Sequence, residues 1–459
     1  MKRIVATALT LSILSLNYAP CLAAVQEAKL SKKEVKVLKA KTERFNYINM
    51  PWWEDLNDEY LNEYILKAFE NNQDLKIVTL QVEESRQRTK LQMAKEMPTL
   101  STGVSPALYK LPGVTSSAGA FAVPVIANYE LDLFLKNHDK TKSSKKMYEA
   151  DKIKEKAAYI AISSAVGSTY FNIVKLDEQI RLQNELIKDR EEIYKLMKMR
   201  NESGITSTTD LIRADKSRTA AKTELYDLEK LRLELLNSLA VLTGETPENI
   251  NEFNRISYEE LKKQKGIPEF IPSDIITQRP DYLAAEKMLE KAGLDVRIAK
   301  KEFLPRFNIL GLAVFLNDSS FPGGMSWQNA LAALGGSMIL DIFAGGAKIA
   351  NLKINKLKYE EYLQNYYKTN LTAIKEVNDS LSNLRHDNEK YLANLKNLEL
   401  EQKDFKLANA EYDAGVKSKL DLIQRRENVT VMKKLVASNK VDTYIDQISL
   451  YKAVAGANL

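Results

Sequence analysis

The sequence contains two nearly identical phrases that lie 211 residues apart. "GITSTTDLIR" occupies Gly204–Arg213, and "GVKSKLDLIQ" occupies Gly415–Gln424. Three further pairs recur in the same order at offsets of 207 to 209 residues: Asp74 and Asp281, Pro98 and Pro305, and Asp132 and Asp341. Self-similarity at this period predicts a duplicated unit of about 200 residues, far longer than a solenoid repeat.

Each unit contains a stretch that favours a very long helix. Residues 140–199 contain no proline. Small or apolar residues recur there every three or four positions, which predicts a helix with a narrow seam. The seam residues are Ile153, Ala157, Ile160, Ser164, Gly167, Phe171 and Val174. At about 1.5 Å per residue such a helix is roughly 90 Å long. It must therefore pack along other long helices, as in a coiled coil.

Strand-like segments separate the helices. Short apolar runs with Thr, Val, Gly and Pro predict two strands in each unit. The predicted segments are a helix over 60–96, strands over about 98–134, a second helix from about Thr208 to Leu242, strands over about 304–343, a long helix from about Ala347 to Asp413, and a last helix ending near Ala453. The sequence is predicted to divide into a signal peptide over 1–24, an N-terminal segment over 25–59, a first unit over 60–243, a connector over 244–271 and a second unit over 272–459.

The two repeated phrases fall at turns between long helices. Gly204 and Gly415 suit the left-handed residue that closes a helix. Ser207 and Ser418 can then cap the helix that follows. Each phrase therefore predicts the tip of a helical hairpin.

The first residues have the signature of a secretory signal. Lys2 and Arg3 precede an apolar run, and small residues follow at Ala23 and Ala24. Cleavage near these alanines predicts an exported protein. Cys21, the only cysteine, lies in this segment; a lipid-modified N-terminus is an alternative, but the preceding proline is a poor match to it.

Four strands cannot close a barrel, and open sheet edges invite aggregation. In a membrane the unpaired backbone groups would cost several kcal/mol each. The strands therefore predict either a barrel that several chains complete in a bacterial outer membrane, or a soluble sheet packed on the helices. The barrel is favoured because the strands are few, widely separated and flanked by helices too long to cover them.

Charge and composition argue against two other classes. The formal net charge of +6, or +4 without Lys2 and Arg3, is too mild for a nucleic-acid-binding protein. The densest basic stretch, Lys136–Lys146, is either a solvated helix start or a contact for anionic lipid headgroups. The two histidines, His138 and His386, lie in polar contexts and different units. We expect no catalytic residues, no metal site and no cofactor.

Several motifs together resemble a known family. They are "PWWEDLNDEYLNEYILKAFENNQDL" (Pro51–Leu75), "IPSDIITQRPDYLAAE" (Ile271–Glu286), the strand ends "DLF" and "DIF", and the two G-x-x-S-x-x-D-L turns. Jointly they resemble the TolC-like outer-membrane efflux factors from about residue 50 to the end. The Trp-Trp pair and the Arg-Pro-Asp motif are similar to the NodT-type branch that serves RND-type pumps.

The resemblance implies an α+β fold. It consists of a transmembrane β-barrel completed by a trimer, with four strands per chain, continued by a long α-helical coiled-coil barrel in the periplasm. The implied function is the outer-membrane channel of a tripartite efflux pump. The implied partners are two further copies of the chain, a periplasmic adaptor (membrane fusion) protein, an inner-membrane transporter of RND type and outer-membrane lipid.

The resemblance also implies a gate at the hairpin tips. Tyr412 and Lys417 match residues that lock the second hairpin onto the first, at Thr209 and Asp210. Asp421 matches an aspartate that forms a ring in the constriction, whereas Gln424 replaces a second aspartate found in some relatives. The implied adaptor-docking positions are Gly204, Ser207, Gly415 and Ser418. An ion pair between solvated Lys417 and Asp210 would contribute about 0–1 kcal/mol, which suits a gate that opens on contact.

Two alternatives remain at this stage. A TolC-like exit duct of type I secretion would pass polypeptides instead of small compounds. A periplasmic coiled-coil scaffold would have no pore. The Trp-Trp and Arg-Pro-Asp motifs favour efflux over secretion.

Overall fold

The computed structural model describes residues 52–109, 118–247, 253–262, 271, 274–317 and 330–455. In chain order its elements are α1 (Glu59–Asn71), α2 (Gln73–Ala94), β1 (Thr99–Thr102), β2 (Ser105–Tyr109), β3 (Ala118–Leu131), α3 (Lys136–Glu202), α4 (Thr208–Thr243), α5 (Asp274–Thr277), α6 (Pro280–Lys301), β4 (Arg306–Asn317), β5 (Ala330–Ile339), α7 (Ala347–Asp413) and α8 (Lys419–Ala453). The predicted signal segment, including Cys21, lies outside the described residues.

The two predicted long helices are present and equal in length. Helices α3 and α7 have 67 residues each, which corresponds to about 100 Å at 1.5 Å per residue. In the predicted α3 seam, Gly167, Phe171 and Val174 are buried, whereas Ile153 and Ala157 are only partly buried. The seam is therefore most tightly packed towards the middle of the helix.

One predicted helix is divided in two. The prediction of a single helix over 60–96 was wrong, because Asn72 adopts an extended conformation (φ −59°, ψ 127°) between α1 and α2. Its side chain accepts a hydrogen bond from the Leu75 amide at 3.1 Å and donates one to the Leu242 carbonyl at 3.0 Å. The Asn72 side chain therefore both caps α2 and attaches it to the end of α4.

The strands form one antiparallel sheet in the order β1–β3–β4–β5, with β2 also paired to β3. Strands β1 and β2 pair with β3 in succession, from Thr99 opposite Asn128 to Tyr109 opposite Ala118. The break between them lies near Pro124, whose carbonyl accepts a hydrogen bond from Gly103. Proline has no N–H for a ladder, which accounts for an interruption there.

The helices pack side by side in a consistent order. Next to the sheet the order of contacts is α2, α3, α6, α7; towards the hairpin tips it is α4, α3, α8, α7. Helix α3 is therefore central in both regions, whereas α7 lies at one side and α2 and α4 at the other. Both hairpins thus contribute neighbouring helices to one packed layer.

The largest buried cluster surrounds the middle of α3. Aliphatic residues pack there with the aromatic side chains of Trp52, Tyr64, Tyr170, Phe171, Tyr444 and Tyr451, and the segment that follows α4 adds Phe253 and Leu261. Among the described residues, α3 is also the one helix that is long and apolar enough to cross a membrane. Its apolar residues include Val166 and Phe171, which are buried in this cluster, so packing accounts for them.

Candidate functional site

The first hairpin tip is fixed by its own hydrogen bonds. Gly204 has a φ of 70°, and the Ile205 amide donates to the Arg200 carbonyl at 2.8 Å. Ser207 caps α4, since its Oγ accepts from the Asp210 amide at 3.1 Å and donates to Asp210 Oδ2 at 2.7 Å. The predicted turn chemistry is therefore formed: a left-handed glycine closes one helix and a serine opens the next.

The second tip has the same construction. Gly415 has a φ of 72°, and the Val416 amide donates to the Glu411 carbonyl at 2.8 Å. Ser418 and Asp421 form a reciprocal cap, with Ser418 Oγ donating to Asp421 Oδ2 at 2.6 Å and the Asp421 amide donating back at 3.2 Å. Hydrogen bonds from the Ser418 side chain and backbone lower the pKa of Asp421, so it is a carboxylate at neutral pH.

The predicted lock residues are near the tips but are not paired with each other within the chain. Lys417 Nζ lies 3.0 Å from Glu411 Oε2, and Asp210 Oδ1 lies 3.4 Å from Arg213 Nη1. The expected ion pair between Lys417 and Asp210 is therefore not formed in a single chain. Each of the two charges is instead paired with an opposite charge of its own hairpin tip.

The other predicted gate positions are exposed. Tyr412 lies next to the end of α7 and is 37% exposed, and Thr209 is exposed in the first turn of α4. Asp421 is likewise exposed, as are Gly204 and Ser418. These side chains and turns are available to a partner, and whether they close a pore remains a prediction.

A charged joint between the two hairpins was not predicted. Arg426 on α8 donates through Nε to Asp189 Oδ1 and through Nη2 to Glu192 Oε2, both at 2.8 Å. Lys419 Nζ lies 2.6 Å from Glu192 Oε1. These contacts join α8 to α3 just above the tips. We call the set Arg426, Lys419, Asp189 and Glu192 the hairpin joint.

The two carboxylates of the hairpin joint, Asp189 and Glu192, differ in burial and in the direction of their pKa shifts. The side chain of Asp189 is 8% exposed, and burial raises its pKa although Arg426 opposes the shift. Hydrogen bonding to Lys419 lowers the pKa of the more exposed Glu192. Removing Arg426 would leave the buried Asp189 without its cation, which is the costly way to break such a pair.

A second contact lies farther from the tips and joins α8 to both α3 and α4. Lys434 Nζ donates to Gln183 Oε1 at 2.6 Å and to Glu224 Oε1 at 2.8 Å. Gln183 is fully buried and also donates to the Ala221 carbonyl at 2.8 Å. In the sequence, Lys434 and Glu224 are visible only as charges at helical spacing. Such a pattern does not identify a partner more than 200 residues away.

The Arg-Pro-Asp motif and the Trp-Trp pair, on which the resemblance to NodT-type factors depends, both have structural roles. Arg279 is 6% exposed and donates to the Ala453 carbonyl at 2.6 Å, to Asp281 Oδ2 at 2.7 Å and to Glu376 Oε2 at 2.6 Å. It therefore joins the start of α6 to α7 and to the last turn of α8. Trp52 packs over Gly167, which attaches the N-terminal segment to the centre of α3.

A comparison with protein families identifies the family of this chain. The sequence profile described as "Outer membrane efflux protein" matches residues 65–245 and 271–456. The chain belongs to the outer membrane efflux protein family. This efflux protein is located in the outer membrane, as its relatives are.

The named relatives are pump components. The efflux protein is 25% identical over 417 residues to the probable efflux pump outer membrane protein TtgC of Pseudomonas putida, covering 88% of this chain and 84% of TtgC. It is 25% identical over 418 residues to the cation efflux system protein CusC of Escherichia coli, covering 90% of each. It also has the fold of the CmeC outer membrane channel of Campylobacter jejuni, with a TM-score of 0.81 at 24% identity over 89% of this chain and 88% of CmeC.

These findings decide among the predicted functions. An outer-membrane efflux protein is not the soluble scaffold that the sequence left open, and the relatives are named for efflux and not for polypeptide secretion. The relatives are channel and pump proteins rather than enzymes. Within the described ranges no group of three or more His, Cys, Asp or Glu side chains is arranged to hold a metal ion.

Proposed function

We propose that this outer-membrane efflux protein forms a trimeric duct of a tripartite pump. Three chains would complete one β-barrel and one helical tube, and the tube would open at its periplasmic end on docking a periplasmic adaptor and an inner-membrane RND transporter. The proposal is supported chiefly by one observation: the sheet and the helical layer of a single chain are both open at two opposite sides.

The sheet is open at β1 and β2 on one side and at β5 on the other. Among the described strands, β5 pairs with β4 alone, and β1 and β2 pair with β3 alone. In lipid each unpaired backbone group costs several kcal/mol. Joining the β5 edge of one chain to the β1 and β2 edge of the next removes this cost, and a rotational repeat of that contact closes a ring.

The helical layer supports the same repeat, because exposed apolar residues mark both of its sides. Helix α7 carries Leu357, Leu371 and Leu407, which are 66–70% exposed. On the opposite side Leu80 of α2 is 69% exposed and Tyr226 of α4 is 67% exposed. Exposed apolar residues on these three outer helices are typical of helix surfaces that pack against a partner.

We infer that the chain consists of a duplicated unit, which fits this architecture. The same family profile matches the chain twice, and the two long helices have equal lengths. We infer that the units comprise residues 60–243 and 272–459, joined by 244–271 after the segments 1–24 and 25–59. Each hairpin tip then recurs around the ring, and the tip residues Gly204, Ser207, Gly415 and Ser418 offer repeated docking positions for an adaptor.

We further propose that Tyr412, Lys417 and Asp421 face Thr209 and Asp210 of the assembled ring and narrow its inner end. The exposure of Thr209, Tyr412 and Asp421 supports contacts between chains. Asp421 is ionised at neutral pH, so a ring of three such carboxylates would attract cations.

The trimer can be tested by native mass spectrometry of the full chain in detergent. Leu371→Lys on α7 should weaken association, because full burial of a leucine contributes about 1.5–3 kcal/mol and each trimer would lose three such contacts. Val431→Lys is the matched control, since Val431 is 50% exposed on α8, which is not an outer helix. A monomeric wild-type protein, or equal trimer fractions for both variants, would contradict the proposal.

A further inference from the structure

The two edges of the sheet leave apolar side chains uncovered. Residues 332–340, in and just after β5, are all exposed, and so are residues 97–104, which include β1. Two large apolar side chains are prominent there: Phe343, which follows β5, is 89% exposed, and Leu100 on β1 is 74% exposed. A contact that pairs the two edges therefore has apolar surface to bury on both sides.

The chain already contains one junction between its two units. Strand β3 is the last strand of the first unit, β4 is the first strand of the second unit, and the two pair with Leu131 opposite Phe307. Phe134, just after β3, packs beside Phe307 with ring centroids 6.3 Å apart. In a ring of chains, β5 of one chain meets β1 of the next, which is again the last strand of one unit beside the first strand of another.

The sequence repeat transfers the register of the inner junction to the junction between chains. The offset between the units is 207 residues at Pro98 and 209 residues at Asp132. By these offsets the equivalents are Leu100 for Phe307, Leu340 for Leu131 and Phe343 for Phe134. The transferred register therefore places Leu340 of one chain opposite Leu100 of the next, with Phe343 beside that leucine.

The repeat is inexact by two residues within the sheet. Thr99 lies opposite Asn128 in the first unit, whereas its equivalent Arg306 lies opposite Ile339 in the second. A match based on this hairpin would instead place Ile342 opposite Leu100 of the next chain. A shift by one residue is excluded, because it would join opposite faces of the sheet. Closure of the ring has to choose between the remaining registers.

The pairs within one chain show how far the strands are displaced. Straight across the strands, Thr99 is in line with Asn128, then with Leu310 and then with Gly335. The transferred register sets Gly335 opposite Ser105 of the next chain, which is six residues beyond Thr99. Each chain would therefore displace the line by six residues along the strands.

This displacement fixes the tilt of the strands. Six residues at about 3.3 Å extend about 20 Å along the strand, and four strand spacings of about 4.8 Å extend about 19 Å across it. The resulting tilt is about 46°, close to the 35–45° of membrane barrels. The hairpin-based register displaces the line by eight residues, and its tilt of about 54° is too steep. Only the transferred register agrees with both the repeat and the tilt.

We propose that β5 pairs antiparallel with β1 of a second copy of this chain, with Leu340 opposite Leu100 and Met338 opposite Thr102, and that Phe343 packs on that Leu100. The proposal rests on the proposed function, because it requires the ring of three chains. It continues around the ring the interface that β3 and β4 already form. It pairs the open edges and covers the two exposed apolar side chains.

The test is oxidative crosslinking of the full-length protein in dodecyl maltoside, in a Cys21→Ala background that contains no other cysteine. Met338→Cys with Thr102→Cys places cysteines on opposite residues, whose Cα atoms would be about 4.5–5.5 Å apart. A disulfide spans about 4.4–6.8 Å between Cα atoms. This pair should give covalent trimers on denaturing, non-reducing gels.

Two matched controls keep Met338→Cys and shift its partner by two residues in either direction, to Leu100→Cys or Val104→Cys. Diagonal neighbours are about 7–8 Å apart, so crosslinking should fall by about fivefold or more. Equal crosslinking of the three pairs, or stronger crosslinking of a control pair, would overturn the register. So would a trimer that none of the three pairs crosslinks.

Native mass spectrometry of the reduced variants reports the oligomer mass and shows that each variant still assembles. A trimer that crosslinks through a control pair would overturn the register and leave the proposed duct intact. A reduced protein that is monomeric, like the wild type measured beside it, would contradict the proposed function itself. The two failures are therefore distinguishable.

Discussion

Trp52 and Gly167 are in a contact that leaves no room for a methyl group. A Cβ on Gly167 would lie 2.6 Å from Trp52 Cη2 and 3.1 Å from Ile448 Cδ1, whereas carbon atoms in contact are about 3.5–4.0 Å apart. Trp52 is 3% exposed, and its ring stacks on Tyr451 at a centroid distance of 5.8 Å. The indole therefore cannot move without disturbing its neighbours.

Gly167→Ala combines two opposing effects. Alanine stabilises a helix interior by about 1 kcal/mol relative to glycine, while overpacking a core costs about 1–3 kcal/mol. In the wild-type background we expect a net destabilisation of up to about 2 kcal/mol. In a Trp52→Phe background the outer part of the indole is absent and only the 3.1 Å approach to Ile448 Cδ1 remains. The same change should then be less destabilising, with a stabilisation of at most about 1 kcal/mol.

The assay is thermal unfolding of the four proteins in detergent, followed by helical circular dichroism. A change of 1 kcal/mol in the free energy of unfolding shifts the midpoint by about 2–4 °C in domains of 150–250 residues. Because this chain is larger, we expect a smaller shift. The decisive quantity is the difference between the two effects of Gly167→Ala, which equals the part of the overpacking cost that Trp52 causes. If the substitution changes the midpoint equally in both backgrounds, the contact between Trp52 and residue 167 is not the source of the cost.

Three further predictions concern the charged groups. Burial, and after it the adjacent Asp387 carboxyl, raises the pKa of Asp446 from 3.8 to about 7. The protonated Asp446 carboxyl therefore contributes stability at low pH, and this contribution is lost as the pH rises through about 7. Asp446→Asn should reduce the fall in unfolding midpoint between about pH 4 and 7, and an unchanged fall would contradict this. If the tips form a gate, Lys417→Ala should raise single-channel conductance in planar bilayers, and unchanged conductance would remove the lock assignment. Asp421→Asn should weaken block by multivalent cations, whereas equal block would show that Asp421 does not line the constriction.

Local sequence signals predicted the elements well. Gly204 and Gly415 adopt the left-handed conformation, and Ser207 and Ser418 cap the following helices, because these preferences involve only neighbouring residues. The break at Asn72 was missed, since its cause includes a hydrogen bond to the Leu242 carbonyl, 170 residues away. Periodicity does not report such a partner.

The site was predicted less completely than the fold. The resemblance identified the tip residues, but it gave no indication of Arg426 or Asp189, which lie outside the motifs. It also suggested an ion pair between Lys417 and Asp210, whereas Lys417 pairs with Glu411 in the chain. Pairing among charges on long helices depends on the relative register of helices, which the sequence pattern leaves open.

The hairpin joint changes how the proposed gate would be held shut. Lys417 and Asp210 are solvated, so any contact between them contributes only about 0–1 kcal/mol. Arg426 instead bridges the buried Asp189 and Glu192 across α3 and α8, and breaking such a pair leaves an uncompensated buried charge. If opening moves the second hairpin away from the first, that motion must separate these groups. We infer that the hairpin joint contributes more resistance to opening than the exposed lock at the tips.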